Sequence, residues 1–336
     1  MANLKVAVVG AGSISQIVHL PVLKNLEDVE IAAICDKDKS KVNILSEKYN
    51  IPNWYFTIED LFKNETLDAV HICTTNLCHF PMSYLALKKG AHVLVEKPIA
   101  INAEDAFKIQ AIAEENKRTV MVGMHNRFRD DVKILHEFIK NDELGEIYYI
   151  KAGWLKSWSK NVIQPWVKSR DNAGGGVLLD IGSQLIDLAL FLLGLPKIRS
   201  VRMYDYTIDP KAEVEEAALA VIETEAHTSI TIEISWRMHM ENDMIYTHLF
   251  GKKGSAYLNP LRIQKELHGN LVNVTPILAE KMPDRYKKAY EAEIKHFYKV
   301  IREEEENLSP AKDAVYVMRI LNALYQSAKD KKEVYI

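Results

Sequence analysis

Lys5-Val6-Ala7-Val8-Val9-Gly10-Ala11-Gly12-Ser13-Ile14-Ser15 decides the fold of the N-terminal part of the chain. Its β-branched apolar run predicts a buried strand that leads through a glycine turn into a helix. Gly10 suits a tight turn, and Gly12 allows the backbone to approach a pyrophosphate, which the free N–H groups of the helix N-terminus would bind. Ser15 stands where the third glycine of the motif is usual. The stretch therefore predicts a dinucleotide-binding turn.

A second predicted strand, from Glu30 to Cys35, ends at Asp36, 24 residues after Gly12. A carboxylate at this position is expected to accept hydrogen bonds from the ribose hydroxyls of a dinucleotide. It would also repel a 2′-phosphate, so the sequence favours NAD over NADP. Lys37 beside it would tolerate the phosphate, which leaves NADP possible. An ordinary turn aspartate is the alternative interpretation.

Glu96-Lys97-Pro98 follows the apolar run Val93-Leu94-Val95, which predicts another short buried strand. Ligands of open parallel sheets bind outside the carboxyl ends of the strands. Pro98 lacks a backbone donor and keeps Lys97 out of the helical region, so strand pairing is expected to stop there. We therefore expect the Lys97 ammonium to point off the sheet edge into a cleft. The alternative is a solvated lysine at a strand end.

Strands and helices alternate through the first 122 residues, which predicts an α/β fold with a doubly wound parallel sheet, the Rossmann arrangement. Beyond residue 123 the period changes, and Ile230, Ile232 and Ile234 alternate with polar residues as in an antiparallel strand with one buried face. We therefore predict a dinucleotide-binding domain over residues 1–122. Residues 123–336 are predicted to form an α/β substrate-binding and oligomerisation domain with a large open, mostly antiparallel sheet. Further strands are predicted at 147–154, 201–206, 218–223 and 246–250, and closing helices at 284–304 and 311–329.

Residues 174–187 begin with three glycines and continue into an apolar helix that carries Asp180, Gln184 and Asp187. The glycines would allow the backbone to approach a ligand or to move as a loop. The three polar side chains share one helix face by their spacing. Buried carboxylates need partners, and a polyhydroxylated substrate would supply them. N-terminal capping by Asp180 is the alternative interpretation.

Composition is that of an ordinary enzyme and gives no sign of other partners. The 336 residues carry a net charge of −3, with a pI of about 6.4, so no nucleic-acid partner is expected. Cys35, Cys73 and Cys78 form a sparse, odd set that indicates a reducing compartment. The N-terminus is a strand and a glycine turn rather than a signal peptide, so a cytoplasmic location is expected. Their spacing relative to neighbouring histidines matches no metal pattern. No run approaches the roughly 18 apolar residues of a membrane span, so no membrane partner is expected.

The chain resembles the Gfo/Idh/MocA oxidoreductases, a family that includes glucose–fructose oxidoreductase and inositol dehydrogenases. The glycine turn, Asp36, Glu96-Lys97-Pro98, His125-Asn126-Arg127-Phe128 and the segment 174–187 occur in the order typical of that family. The resemblance spans essentially the whole chain. It implies a nicotinamide cofactor held against a sugar or polyol, and a homodimer or homotetramer assembled through the C-terminal sheet.

The resemblance also implies roles for individual residues. Lys97 would polarise the reacting oxygen, and Asp180 would bind substrate or orient the lysine. Gln184 stands where many members have a histidine base, and an amide cannot take up a proton at neutral pH, so the base would be Lys97 or His125. Thr75 departs from the proline usual before Asn76. Implied cofactor contacts are Gly10, Gly12, Ser13, Ile14, Asp36, Lys37, Thr74, Asn76, His79, Glu96 and Lys97. Implied substrate contacts are Lys97, His125, Trp166, Arg170, Asp180 and Gln184.

Three functions are compatible with these residues. We favour an NAD(P)-dependent dehydrogenase or reductase that acts on a CH–OH group of a sugar, inositol or sugar derivative. A redox glycosidase or isomerase would keep NAD bound and oxidise its substrate only transiently. A nucleotide-binding regulator without turnover is the third hypothesis. Lys97 and Asp180 argue against a regulator, whereas Gln184 argues for one.

Overall fold

The computed structural model describes residues 3–158, 165–277 and 282–336. The chain divides into two compact units. The first unit comprises Met1–His125 and Tyr290–Val315, and the second comprises Asn126–Ala289 and Tyr316–Ile336. The first crossing at His125 lies close to the predicted boundary at residue 122. The return of residues 290–315 to the first unit is a feature that the sequence did not predict.

A six-stranded parallel sheet forms the centre of the first unit and confirms the predicted doubly wound arrangement. Its strands follow the order β3-β2-β1-β4-β5-β6, and all neighbouring pairs are parallel. The order reverses between β1 and β4, where the carboxyl ends of the strands open a crevice suited to a ligand. The strands are β1 (Leu4–Val9), β2 (Val29–Cys35), β3 (Asn53–Tyr55), β4 (Ala69–Ile72), β5 (His92–Glu96) and β6 (Val120–Gly123).

Helices join these strands, and their ends follow the capping signals in the sequence. The Thr57 side chain accepts a hydrogen bond from Asp60 N at 3.1 Å, and Asn102 accepts one from Asp105 N at 2.8 Å, as expected of N-caps. Residues 13–23 are helical and include a π-helical turn at Ser15–His19. The α-helices of this part are α1 (Leu20–Leu23), α2 (Lys39–Tyr49), α3 (Ile58–Asn64), α4 (Asn76–Lys88) and α5 (Ala103–Glu115).

A nine-stranded sheet forms the second unit, in the order β14-β13-β12-β11-β7-β10-β9-β8-β15. In the described part of the chain β7 and β10 are its parallel neighbours, and its other pairs are antiparallel, which confirms the predicted mostly antiparallel sheet. Strands β12 to β14 were not predicted from the sequence. The strands are β7 (Ile147–Ser157), β8 (Ile198–Tyr206), β9 (Ala217–Thr224), β10 (Ser229–Met238), β11 (Met244–Gly251), β12 (Gly254–Leu258), β13 (Arg262–Leu267), β14 (Asn270–Asn273) and β15 (Val334–Tyr335).

One face of this sheet is covered by helix, as the alternation in β10 requires. Ile230, Ile232 and Ile234 are buried, whereas Thr231 and Glu233 on the opposite face are partly exposed. The remaining helices are α6 (Asp130–Lys140), α7 (Arg170–Ala173), α8 (Ser183–Leu192), α9 (Met282–Ile301) and α10 (Ala311–Asp330). Helix α8 packs against β7 and β10, so the buried isoleucines face it.

The helical stretch Arg170–Leu192 is long and apolar enough to satisfy a length and hydropathy criterion for a membrane span. The sequence predicts no membrane span, and one mostly buried helix that meets this criterion does not overturn that prediction. In the structure 89% of the apolar window is buried inside the protein. Its hydropathy therefore reflects its position in the core of the second unit.

Candidate active site

The glycine turn after β1 is fixed by its own neighbours in the first unit. Gly10 has a φ of +100°, and a Cβ there would lie 2.4 Å from the carbonyl oxygen of Cys73. Any other residue at position 10 would therefore collide with the backbone that follows β4. The buried Ser15 hydroxyl donates a hydrogen bond to the Gly10 carbonyl. Ser15 thus takes the place of the third glycine by binding the turn with its side chain.

Asp36, at the end of β2, lies against this turn. Its Oδ2 accepts a hydrogen bond from Ala11 N at 2.6 Å, and its Oδ1 accepts one from Asp38 N at 2.9 Å. Each carboxylate oxygen can accept a second hydrogen bond, and the side chain is partly exposed. Asp36 therefore has the capacity to bind ribose hydroxyls while it shapes the turn. Lys37 beside it and Ser13 on the turn are exposed.

The segment after β4 contains three of the predicted cofactor contacts. Thr74 and Asn76 are partly exposed, whereas His79 is only 1% exposed. The His79 ring nitrogens lie 2.7 Å from the Pro98 carbonyl oxygen and 3.1 Å from that of Thr74. Burial lowers the pKa of His79, and the charge of Lys97 acts in the same direction. The buried His79 ring thus links the segment after β4 to the segment after β5 through these two carbonyl groups.

Glu96 and Lys97 lie where β5 ends, as predicted. Lys97 is partly exposed, and its peptide bond to Pro98 is cis. Glu96 is only 8% exposed and pairs in register with Gly123 of β6, where a Cβ would come within 3.2 Å of the Glu96 carboxylate. Burial raises the pKa of Glu96, but His19, Lys97 and His125 outweigh burial and lower it. Glu96 is therefore an anion among three basic side chains.

His125 follows β6 and begins the 3₁₀ turn His125–Phe128. Its ring is 7% exposed and stacks on Tyr290, with ring centroids 4.1 Å apart and planes inclined by 20°. The charge of His125 acts on Glu96, which places this histidine with the groups at the carboxyl ends of β5 and β6. In the first unit, the carboxyl ends of the sheet strands thus carry the glycine turn, Asp36, Lys97 and His125.

Asp180 and Gln184 belong to the second unit and begin its apolar helix. Asp180 lies in a π-helical turn, Leu178–Gly182, and its Oδ2 accepts a hydrogen bond from Trp236 Nε1 at 2.9 Å. The Gln184 side-chain amide donates to the Asp180 carbonyl oxygen at 3.2 Å. The sequence did not predict Trp236 as the partner of Asp180, because its position in β10 marks it as a core residue. Wide π-helical turns occur frequently at functional sites.

Asp187 does not join Asp180 and Gln184 as a substrate group, which corrects the expectation drawn from their spacing. It pairs with Arg127: Arg127 Nε donates to Asp187 Oδ2 at 2.9 Å, and Arg127 Nη2 donates to Asp187 Oδ1 at 2.5 Å. Both side chains are 1% exposed, and the guanidinium also lies over the Phe191 ring at 5.1 Å. Asp187 is therefore satisfied within the core of its own unit.

The glycine triplet before this helix is packed tightly, contrary to the expectation of a moving loop. A Cβ on Gly175 would lie 2.2 Å from the Tyr325 hydroxyl, and one on Gly176 would lie 2.0 Å from the Glu215 carbonyl oxygen. The Glu215 carboxylate accepts hydrogen bonds from Gly176 N and Leu178 N, and burial raises its pKa. The glycines are needed so that these groups can approach the backbone.

Trp166 and Arg170 lie on short helical turns before the triplet and are exposed. Arg170 N donates to the Glu213 carboxylate at 3.0 Å, and its guanidinium donates to the Glu213 carbonyl oxygen at 3.3 Å. The second unit thus carries Asp180, Gln184, Trp166 and Arg170, and the first carries Lys97, His125 and the predicted cofactor contacts.

Two family models match almost the entire chain. Residues 4–124 match a model described as an oxidoreductase family with an NAD-binding Rossmann fold, and residues 136–336 match the C-terminal α/β domain of the same Gfo/Idh/MocA group. The match confirms the family to which the sequence was likened.

Individual relatives align over nearly their full lengths. D-glucoside 3-dehydrogenase of Escherichia coli (strain K12) is 28% identical over 97% of this chain and 95% of its own. Myo-inositol 2-dehydrogenase of Thermotoga maritima is 23% identical over 98% of both chains. The structure of a levoglucosan dehydrogenase in complex with NADH and levoglucosan superposes with a TM-score of 0.90 at 20% identity, over 99% of both chains. At that identity the superposition establishes the shared fold.

Proposed function

This chain belongs to the Gfo/Idh/MocA oxidoreductase family, and we propose that it transfers a hydride between NAD and a CH–OH carbon of a sugar, inositol or sugar derivative. The observation that carries this proposal is Lys97 at the end of β5, in the same unit and at the same sheet edge as the glycine turn and Asp36. A cation beside a dinucleotide turn is suited to stabilise negative charge on an oxygen that loses its proton.

The residues of both units support this chemistry. NAD⁺, when bound, supplies the hydride acceptor, and Gly10, Gly12 and Asp36 would hold it. Lys97 would hydrogen-bond the reacting oxygen and stabilise its alkoxide character. Asp180, fixed by Trp236 at 2.9 Å, would accept a hydrogen bond from a substrate hydroxyl, and Gln184 would bind a second one. The proton of the reacting hydroxyl would pass to Lys97 or to His125.

We propose a pyranose ring as the substrate, because the relative at 28% identity is a D-glucoside 3-dehydrogenase that aligns over nearly the whole chain. Trp166, with 37% of its surface exposed, offers an aromatic face for such a ring, and Arg170 beside it offers donors for hydroxyl groups.

The test measures NADH absorbance with D-glucosides, free aldoses and inositols, using the wild-type protein and Lys97→Ala. We expect the wild type to reduce NAD⁺ with at least one pyranose and the variant to bind NAD⁺ without turnover. Cofactor binding without turnover of any compound in the wild type would contradict the proposal and favour a regulator. Release of an aglycone without net NADH would instead identify a redox glycosidase.

We further propose a cytoplasmic homodimer or homotetramer joined through the open face of the nine-stranded sheet. That face carries Tyr149 stacked on Phe250 at 5.7 Å and Tyr246 hydrogen-bonded to Glu233 at 2.8 Å. Aromatic rings on an open sheet face form an apolar surface, and a second copy of the chain would bury it. Light scattering that shows a monomer at micromolar concentration would contradict this assembly.

A further inference from the structure

Four side chains form a continuous hydrogen-bonded chain through the interior of the first unit. His19 Nε2 lies 2.9 Å from Glu96 Oε1, and His19 Nδ1 lies 2.8 Å from His71 Nδ1. His71 Nε2 in turn lies 2.7 Å from the Tyr298 hydroxyl. Glu96 is 8% exposed, and the other three are at most 2% exposed. The proposed function uses only the outer end of this chain, where Glu96 precedes Lys97.

Separate elements hold the four groups in place. His19 ends the π-helical turn Ser15–His19, His71 lies on β4, and Tyr298 lies on α9, 227 residues along the chain from His71. The His19 and His71 rings meet edge to face at 5.1 Å, and the Tyr298 ring stacks on His71 at 5.9 Å. Because rings packed in this way cannot turn freely, the hydrogen bonds keep their partners.

The donors and acceptors allow two arrangements. The Glu96 carboxylate only accepts, so His19 Nε2 must donate to it. If His19 is an imidazolium, its Nδ1–H donates to His71 Nδ1, and His71 Nε2–H donates to Tyr298. If His19 is neutral, every donor beyond it reverses, because His71 must then donate from Nδ1 and accept the Tyr298 proton at Nε2. One proton on His19 therefore selects the tautomer of His71.

The surroundings favour the imidazolium. Burial lowers the pKa of His19, but the Cys73 sulfur and the Glu96 carboxylate outweigh burial and raise it to about 10. Burial and the charge of His19 hold the pKa of His71 well below its usual value. Burial raises the pKa of Tyr298 well above its usual value. The charge of Arg302 lowers this pKa and that of Asp28 raises it, but burial is the largest effect. Lys97 and His125 are the further charged groups that act on Glu96.

We propose that His19, His71 and Tyr298 are positioning residues that keep Glu96 ionised and fixed beside Lys97, by holding one buried proton on His19. The part of this inference that concerns catalysis rests on the proposed function, because it acts through Lys97. A protonated or displaced Glu96 would no longer act on the Lys97 ammonium as a fixed negative charge. In the described residues no three His, Cys, Asp or Glu side chains are grouped so that they could hold a metal ion.

The first test needs no substrate. Nitrogen-15 NMR of histidine-labelled protein should show His19 protonated on both ring nitrogens at neutral pH and His71 as the Nε2–H tautomer. In Glu96→Gln, which leaves the Cys73 contribution in place, the protonated fraction of His19 should fall and the fraction of His71 in the Nδ1–H tautomer should rise. His92, whose Nδ1 accepts a hydrogen bond from Thr119 N at 3.0 Å, serves as the internal reference. A neutral His19 in the wild type, or no response to Glu96→Gln, would overturn the proposal.

A matched pair of tyrosine variants separates the chain from general packing. Tyr298→Phe removes the hydroxyl that ends the chain, and Tyr316→Phe removes one that bonds Pro196 and Ile198 backbone groups instead. We expect Tyr298→Phe to shift the ring signals of His71, since its Nε2–H loses its acceptor, and Tyr316→Phe to leave them unchanged. Equal responses, or no response to Tyr298→Phe, would contradict the proposal.

The second test uses a sugar that the wild type oxidises. His19→Gln should lower kcat about tenfold to a hundredfold, as expected when a reacting group is misplaced, while KM for NAD stays within a small factor. His19→Gln should also move the acid limb of the kcat profile to higher pH, because the His19 charge that lowers the pKa of Glu96 is lost. Tyr298→Phe should lower kcat less and move that limb in the same direction, and Tyr316→Phe should do neither. Unchanged kcat and pH profile in a folded His19→Gln would refute the catalytic part. If no sugar is oxidised, the proposed function fails and the NMR outcome still decides the hydrogen-bonded chain.

Discussion

Replacing Asp187 should destabilise the second unit strongly and leave substrate affinity unchanged. Asp187 and Arg127 are each 1% exposed, and they form a two-point ion pair at 2.9 and 2.5 Å. Removing one partner of such a pair leaves a buried charge uncompensated, at a cost of about 3–5 kcal/mol. For a unit of this size that loss corresponds to a fall in Tm of about 6–20 °C.

A double-mutant cycle measures the pair directly. Thermal and urea unfolding would be followed for Asp187→Leu, for Arg127→Met and for the double variant. The double variant should be more stable than either single one, because two apolar side chains leave no buried charge. Glu146→Gln is the matched control, since its pair with Lys252 lies at 2.7 Å but both side chains are more than half exposed. That control should lose no more than about 1 kcal/mol.

The opposite result has a clear meaning. If Asp187→Leu melts within about 2 °C of the wild type, less than the loss of 1 kcal/mol would cause, and raises KM for the sugar, Asp187 is a substrate group. The spacing argument that placed it with Asp180 and Gln184 would then be right, and the pairing with Arg127 would contribute little to stability.

Four further outcomes are expected. Asp36→Ser should narrow the preference for NAD over NADP, measured as the ratio of dissociation constants; equal constants in the wild type would contradict the role of Asp36. Lys97→Ala should abolish turnover while its circular dichroism spectrum and most of its NAD affinity remain, and activity like that of the wild type would remove Lys97 from the chemistry. Gln184→Ala should weaken sugar binding by about 1–3 kcal/mol without changing the shape of the pH profile; a changed shape would mean that position 184 affects an ionisation. Burial and the charge of Arg118 lower the pKa of His92 from 6.5 to about 4. Between these two pH values the unfolded chain binds a proton that the folded chain does not, so stability is lost as the pH falls from 6.5 to 4. In His92→Gln the urea midpoint should depend less on pH in this range, and a dependence identical to that of the wild type would show that His92 does not cause the loss.

The sequence predicted the features that depend on neighbouring residues. The glycine turn and the alternation in β10 are local patterns, and each lies where it was predicted. Fold class and family followed from the order of such patterns. The short strands β12 to β14 were missed because their mixed polar residues give no clear alternation.

The groups that the sequence could not join are those whose partners are distant in the chain. Arg127 and Asp187 are 60 residues apart, and His71 and Tyr298 are 227 apart. A polar residue at a predicted buried position indicates that a partner is present, but the periodicity of the sequence does not identify that partner. Asp187 shows the consequence, because helical spacing assigned it to a substrate although Arg127 already satisfied it.

The return of residues 290–315 to the first unit has a consequence for synthesis on the ribosome. Ser309 and Asn307 hydrogen-bond to Val122 and Val120, and Met121 forms a β-bridge with Pro310, so the free side of β6 is closed by residues that are synthesised much later. Ser309 follows Val122 by 187 residues, which at bacterial and eukaryotic rates of about 5–20 residues per second take roughly 10–40 s to translate. During that interval the nascent N-terminal half presents an unpaired strand edge, which is a site for aggregation. An N-terminal fragment that stops at His125 should accordingly aggregate, whereas a circular permutant that begins near Tyr290 would complete this half first.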